Sequence, residues 1–166
     1  MAVHLKGTEQ QAAQEVWMGK LARGCWIVVA DAQGAMILEN VGTVPEPDLR
    51  LIDRIDAPAV TPHEDRPGRR SDAGPNQRSA MEVTDRARLS QMALAAMIVA
   101  RLSREAARGM FQRLAIAAPP HLLGAIRDRL DDDLKRRLLV SVPKRLTSEP
   151  LGGIGNLMQD AMYPAA

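Results

Sequence analysis

Hydrolysis of a phosphate ester by two metal ions needs several carboxylates converging on cations ~3.5–4 Å apart, because Mg²⁺ takes oxygen ligands and must bridge the phosphate. Two acids of this chain are placed for such work. Asp31 follows the apolar run Cys25–Ala30, and Asp85 opens a helical segment. A third carboxylate is needed where the fourth strand ends, but that place reads Ala117-Ala118-Pro119-Pro120. Asp31 also begins the turn Asp31-Ala-Gln-Gly34, where Asp is favoured because its side chain bonds its own backbone. The histidines His4, His63 and His121 stand in separate regions without HxxxH or HExxH spacing, and Cys25 is the only cysteine. Zinc therefore has no ligand set in the spacing, and Cys25 reads as a small core side chain. The expectation is no catalytic residue, metal or cofactor, with Asp31 and Asp85 the one candidate acidic pair.

Binding of anions has more to work with. Arg66, Arg69, Arg70 and Arg78 sit in a stretch rich in glycine and proline that also holds Gly74 and Gln77. Over residues 61–80 these four arginines oppose Glu64, Asp65 and Asp72, a local charge of +1. Further on, Arg101, Arg104 and Arg108 share a helix face by their i, i+3, i+7 spacing. Loop and helix together could hold phosphates. The whole chain carries 22 Lys and Arg against 20 Asp and Glu, and a net +2 is too small to force a nucleic-acid reading by itself. Two Trp, one Tyr and one Phe leave no stock for a base-stacking platform. The triad Asp131-Asp132-Asp133 followed by Lys135-Arg136-Arg137 reads as a solvated helix charged as its dipole prefers. Gly152-Gly153-Ile-Gly155 reads as the entry to a last helix rather than an anion cradle.

These residues need a scaffold. Cys25–Ala30 reads as a buried strand, reversed by the Asp31–Gly34 turn into a second strand, Ala35–Val41, with Leu49–Ile55 a third, edge strand. Pro58, Pro62, Pro67, Gly68, Gly74 and Pro75 then break every periodicity, which predicts a long exposed loop over 58–84. Thr84 or Asp85 caps a helix to about Arg108, stopped by Gly109. Its centre, MALAAMIVA, is apolar all round and predicts burial on more than one side, within the domain or in a homodimer. Phe111–Ala118 is a fourth strand closed by the two prolines. A single helix follows from near His121 through Leu134, then a fifth strand, Leu138–Leu146, whose Pro143 favours an edge or a bulge, and a short helix Leu151–Met162.

The predicted order is thus β-β-β, loop, α-β-α-β-α: an α/β domain over 25–163 with a mixed five-stranded sheet flanked by helices. This is the order of a ribonuclease H-like domain. Residues 1–24 form an N-terminal extension, either a short amphipathic helix or a mobile arm. The longest apolar run, Met92–Ala100, is about half of the ~18 residues a membrane span requires, and the N-terminus lacks a secretory signal. A cytoplasmic location without membrane contact is the expectation.

The string DRPGRRSDAGPNQRSAMEVTD (Asp65–Asp85), preceded by WIVVADAQGAMILEN and followed by RLAIAAPPHLLGAIRDRL, resembles the bacterial host-attachment protein family, described as required for attachment to host cells. The resemblance spans roughly residues 25–160. That family is in turn similar to the middle domain of archaeal and eukaryotic peptide-release factors, whose long loop carries a Gly-Gly-Gln tripeptide into the ribosomal peptidyl-transferase centre. The corresponding place here reads Gly74-Pro75-Asn76-Gln77-Arg78-Ser79-Ala80. The glutamine is present and the second glycine is not. Proline fixes φ near −65° and lacks an N–H, so it does not copy a glycine's freedom. Arg86 stands where the family often has His. The resemblance implies a release-factor middle-domain-like fold and a non-catalytic module that contacts structured RNA or the ribosome. An attachment or protein-interaction factor is the alternative, and a metal-dependent nuclease or peptidyl-tRNA hydrolase a further one.

Overall fold

The computed structural model describes the backbone of residues 20–59 and 75–162, and the side chains of 20–59 and 82–162. Its elements are β1 (Trp26–Asp31), β2 (Gly34–Asn40), β3 (Leu49–Asp56), α1 (Pro75–Ala107), β4 (Leu114–Ala117), α2 (Pro120–Arg129), α3 (Asp132–Arg137), β5 (Leu138–Val142) and α4 (Leu151–Met162). The strands lie side by side as β3-β2-β1-β4-β5. β1 pairs antiparallel with β2 and β2 with β3, whereas β1–β4 and β4–β5 are parallel. This is the mixed sheet expected from short connections on one side and helical crossovers on the other.

β1 is the centre because both of its faces are apolar. Trp26, Val28 and Ala30 join Ile37, Leu94, Ile98 and Leu102 in one core layer, while Ile27 and Val29 join Leu38, Ile154 and Met158 in the other. A continuous apolar run is what a strand covered on both faces requires. Gly34 closes the β1–β2 turn against the end of β3, where a Cβ would stand 2.4 Å from the Ile55 carbonyl oxygen. Buried Asn40 ties the β2–β3 connection: its amide donates to the Leu21 carbonyl and its oxygen accepts from the Gly42 and Asp48 N–H groups. Leu21, assigned by sequence to the extension, is itself fully buried, so the core begins earlier than residue 25.

Several boundaries differ from expectation, each for a local reason. α1 starts at Pro75 rather than at Thr84 or Asp85, because proline is pre-organised for the first helical position and no breaker follows it. Residues 75–84 therefore belong to the helix, not to the predicted loop. At its other end Met110 N–H reaches Glu105 O and Gly109 N–H reaches Ala106 O, with Gly109 at φ +74°, the left-handed stop that the sequence predicted. The apolar centre of α1 is buried on one side only: Leu94, Ala95, Ile98 and Leu102 face the core, while Met92 and Met97 are exposed. Only Leu114–Ala117 of the fourth predicted strand pairs with β1. Phe111 instead stacks on Trp26 at 4.7 Å, with the Arg137 guanidinium over its ring.

The single helix expected after His121 is two. Leu130 is extended, and the Asp131 carboxylate accepts from Leu134 N–H as the cap of α3. β5 is an edge strand that stops at Val142, before Pro143, and its register with β4 shifts between Leu114 and Ala115. Gly152, Gly153 and Gly155 lie within α4, and Gly155 lets that helix close on Pro47.

Candidate functional site

Two clusters of charge gather on this frame. The first is on the last two turns of α1. Glu105 occupies a position in the core-facing stripe of the helix, three residues beyond buried Leu102, and its side chain is only 5% exposed. Three guanidiniums converge on it. Arg101 Nε and Arg104 Nε stand 3.4 Å from Oε1, and Arg108 Nη1 stands 3.5 Å from Oε2. Arg101 also spans to β3, where its Nη1 lies 2.9 Å from Asp53 Oδ2. The buried carboxylate thus orients the row while Arg104 and Arg108 stay 63% and 66% exposed. With Asp53 counted, three cations face two anions, leaving a net positive surface whose outward-turned members are Arg104 and Arg108.

The second cluster lies at the carboxyl ends of the parallel strands, the end at which open α/β sheets build their sites. Asp31 closes β1 there. Its Oδ1 accepts from Gln33 N–H at 2.7 Å and Gly34 N–H at 3.2 Å, and its Oδ2 accepts from Thr147 Oγ1 at 2.7 Å. Arg145 Nε lies 3.7 Å from the same Oδ2. A cleft of about 360 Å³ opens beside this group, between the end of β3 and the segment after β5, with Arg54, Asp56 and Arg145 on its walls. Here acids and bases balance, and both oxygens of Asp31 already have partners.

Most of the loop residues predicted to bind, namely Arg66, Arg69, Arg70 and Gly74, lie outside the described residues. Gln77 and Arg78 fall on the first turn of α1 and not on a loop. Arg101, Arg104 and Arg108 do come together, though Arg101 is turned toward the sheet edge by Asp53. Among the described residues Asp31 and Asp85 are not brought together: Asp85 is exposed on α1, and neither of the two clefts described beside Asp31 includes it. Among the described residues no group of three His, Cys, Asp or Glu side chains is placed to hold a metal ion. Burial pushes the Cys25 thiol up to about 12, against a smaller lowering by the Arg113 guanidinium, which makes it a poor nucleophile.

Glu105, Arg145 and Thr147 were not singled out from the sequence. A signal existed for the first, since a carboxylate in the buried stripe of a helix has to be paired. For Arg145 and Thr147 the signal was their place just after a parallel strand.

Among the described residues no helix is long and apolar enough to cross a membrane. Comparison with known families places residues 26–156 within the sequence profile described as "Protein required for attachment to host cells". None of the curated proteins compared with the chain matches it. Among solved structures, the chain is similar to an archaeal translation termination factor at 11% identity and TM-score 0.42, over 80% of this chain and 36% of that one. It is also similar to Dom34 of S. cerevisiae, described as a translation termination-like factor involved in RNA quality control pathways and interacting with Hbs1. That match has 10% identity and TM-score 0.37, over 93% of this chain and 40% of that one. The chain thus spans well under half the length of either protein.

Proposed function

This chain belongs to the family of proteins required for attachment to host cells, and from that premise we propose that it is a non-catalytic module that binds structured RNA through the arginine face of α1. One observation carries the reading: Arg104 and Arg108 are held outward by a buried glutamate that leaves their exposed ends open to solvent. A guanidinium presents a planar fork of donors matched to phosphate oxygens, and fixing its stem lowers the entropy lost on binding. In this reading Arg66, Arg69, Arg70 and Arg78, with Gly74 and Gln77, are a second set of phosphate-binding candidates; Arg78 stands at the opposite end of α1 from Arg104 and Arg108. Nothing in the proposal calls for bond breaking, since both oxygens of Asp31 are occupied by the turn and by Thr147. The ribosome is the structured RNA we propose as partner, in the cytoplasm.

The family description favours a second reading, a protein-interaction or attachment factor, in which the same face would meet an acidic protein surface. Filter binding of the purified chain to ribosomes and to a structured RNA, over a range of salt concentrations, separates the two. The RNA reading predicts binding that weakens linearly in log K against log salt as counterions are released. No retention of RNA even at low salt would overturn it.

A further inference from the structure

The exposed side of α1 carries a second pattern, which shares only Arg104 with the arginine cluster and does not rest on the RNA reading. Between Glu82 and Arg104 the positions turned away from the core recur in alternating steps of four and three: Arg86, Leu89, Ala93, Ala96, Ala100. That spacing is common to any one face of a helix; what marks this face is its content, a leucine and three alanines with two methionines beside them and one arginine. The buried stripe of the same helix, Leu94, Ile98 and Leu102, lies on the opposite side and is already covered by the domain. Along the outer seam Leu89 is 48% exposed, and the flanking Met92 and Met97 are 40% and 43% exposed. The alanines between them allow a close approach of backbones, toward the lower end of the ~8–10 Å usual for packed helices.

What covers this seam follows from its charges. Glu82 and Arg104 sit at its two ends, both exposed, with Ala93 midway between them in sequence. A parallel copy would set Glu82 against Glu82 and Arg104 against Arg104. An antiparallel copy, related by a two-fold axis at Ala93, sets each Glu82 against the partner's Arg104 and each Leu89 against the partner's Met97. Such an arrangement is self-complementary, as a closed two-fold interface must be. From Glu82 to Arg104 the helix runs ~33 Å at 1.5 Å per residue, long enough for about three heptads of contact. We propose that this face of α1 binds a second copy of the same chain, antiparallel, in a homodimer centred on Ala93. Arg108 lies to the side of the seam and stays open to solvent in that dimer.

Sedimentation equilibrium of the full chain, without RNA, tests this. The expected result is a concentration-dependent approach to twice the 18.1 kDa chain mass. Ala93→Glu places two like charges at the axis and should yield the monomer throughout, with circular dichroism unchanged because Ala93 is outside the core. Leu89→Glu and Met97→Lys should each weaken dimerisation at least tenfold, and the two together in one chain should restore it, since opposite charges then face each other across the axis. A wild-type chain that stays monomeric to high concentration overturns the proposal. So does a dimer that survives Ala93→Glu, or one that the paired charged variants fail to rescue. RNA binding scored below the dimerisation range by the filter assay decides the other reading separately.

Discussion

The strand-end cluster and the α1 cluster are built from the same two chemical groups and come to opposite results. At the end of β1, Asp31 spends one oxygen on the Gln33 and Gly34 N–H groups and the other on Thr147 and Arg145. The acid there serves the backbone, and its arginine is one among balanced charges. On α1, Glu105 is buried and meets three guanidiniums, of which Arg104 and Arg108 point into solvent. There the acid serves the arginines. A carboxylate beside an arginine is therefore not in itself a site; the ratio of the two and the exposure of the cation decide what the pair can do for a partner.

Removing the acid from each cluster should separate them, and the larger effect belongs to α1. Glu105→Ala leaves three like charges without their common partner and empties a buried position. The expected loss is about 2–3 kcal/mol, below the ~3–5 kcal/mol of a fully buried pair because Arg104 and Arg108 reach water. Urea unfolding should show a lower midpoint with an unchanged slope. Glu105→Gln keeps the shape, costs less, and should tighten RNA binding while Asp31→Asn leaves it unchanged. Asp31→Ala removes three hydrogen bonds from a turn near the surface and should cost about 1–2 kcal/mol, again read from the urea midpoint. Equal losses of RNA affinity on altering the two clusters would erase the distinction drawn between them.

The smallest expected effect lies in the core layer opposite α1, at Cys25. Its thiol is pushed up to about 12 in the folded chain against an ordinary value of 9.0. The unfolded chain therefore ionises first as pH rises, so the contribution to stability is intact below pH ~9 and declines from there toward ~12. Replacing Cys25 by Ala should flatten the alkaline limb of the stability curve. An aromatic disulfide reagent at pH 8 should label the native thiol slowly and the urea-unfolded thiol at once.

Much of the frame was legible because its signals were local. The run Trp26–Ala30 demanded a strand with both faces covered, Asp31–Gly34 a turn, Gly109 a helix stop, and all three occur. Which strands run antiparallel and which parallel followed from the lengths of the connections. What failed to show was set by partners distant in sequence. Leu21 is drawn into the core by Asn40, Phe111 leaves its strand to stack on Trp26, and Thr147 finds Asp31 across the sheet. The break at Leu130–Asp131 was local and readable, since Asp before a new helical turn is a preferred cap. The continuous leucine spacing from Leu122 to Leu134 hid it. In the candidate site, spacing alone brought Arg101, Arg104 and Arg108 to one face, but not the fact that a single buried carboxylate holds them.

The most direct test of the account compares salt dependence across the two clusters. RNA binding should be measured from low to moderate salt for the wild-type chain, for Arg104→Ala with Arg108→Ala, and for Arg145→Ala. The α1 double variant should lower the slope of log K against log salt by about two, one for each lost phosphate contact, while Arg145→Ala should leave slope and affinity as they were. A slope unchanged by the double variant, or lowered as much by Arg145→Ala, would contradict the claim that the arginines of α1 are the ones that grip phosphate.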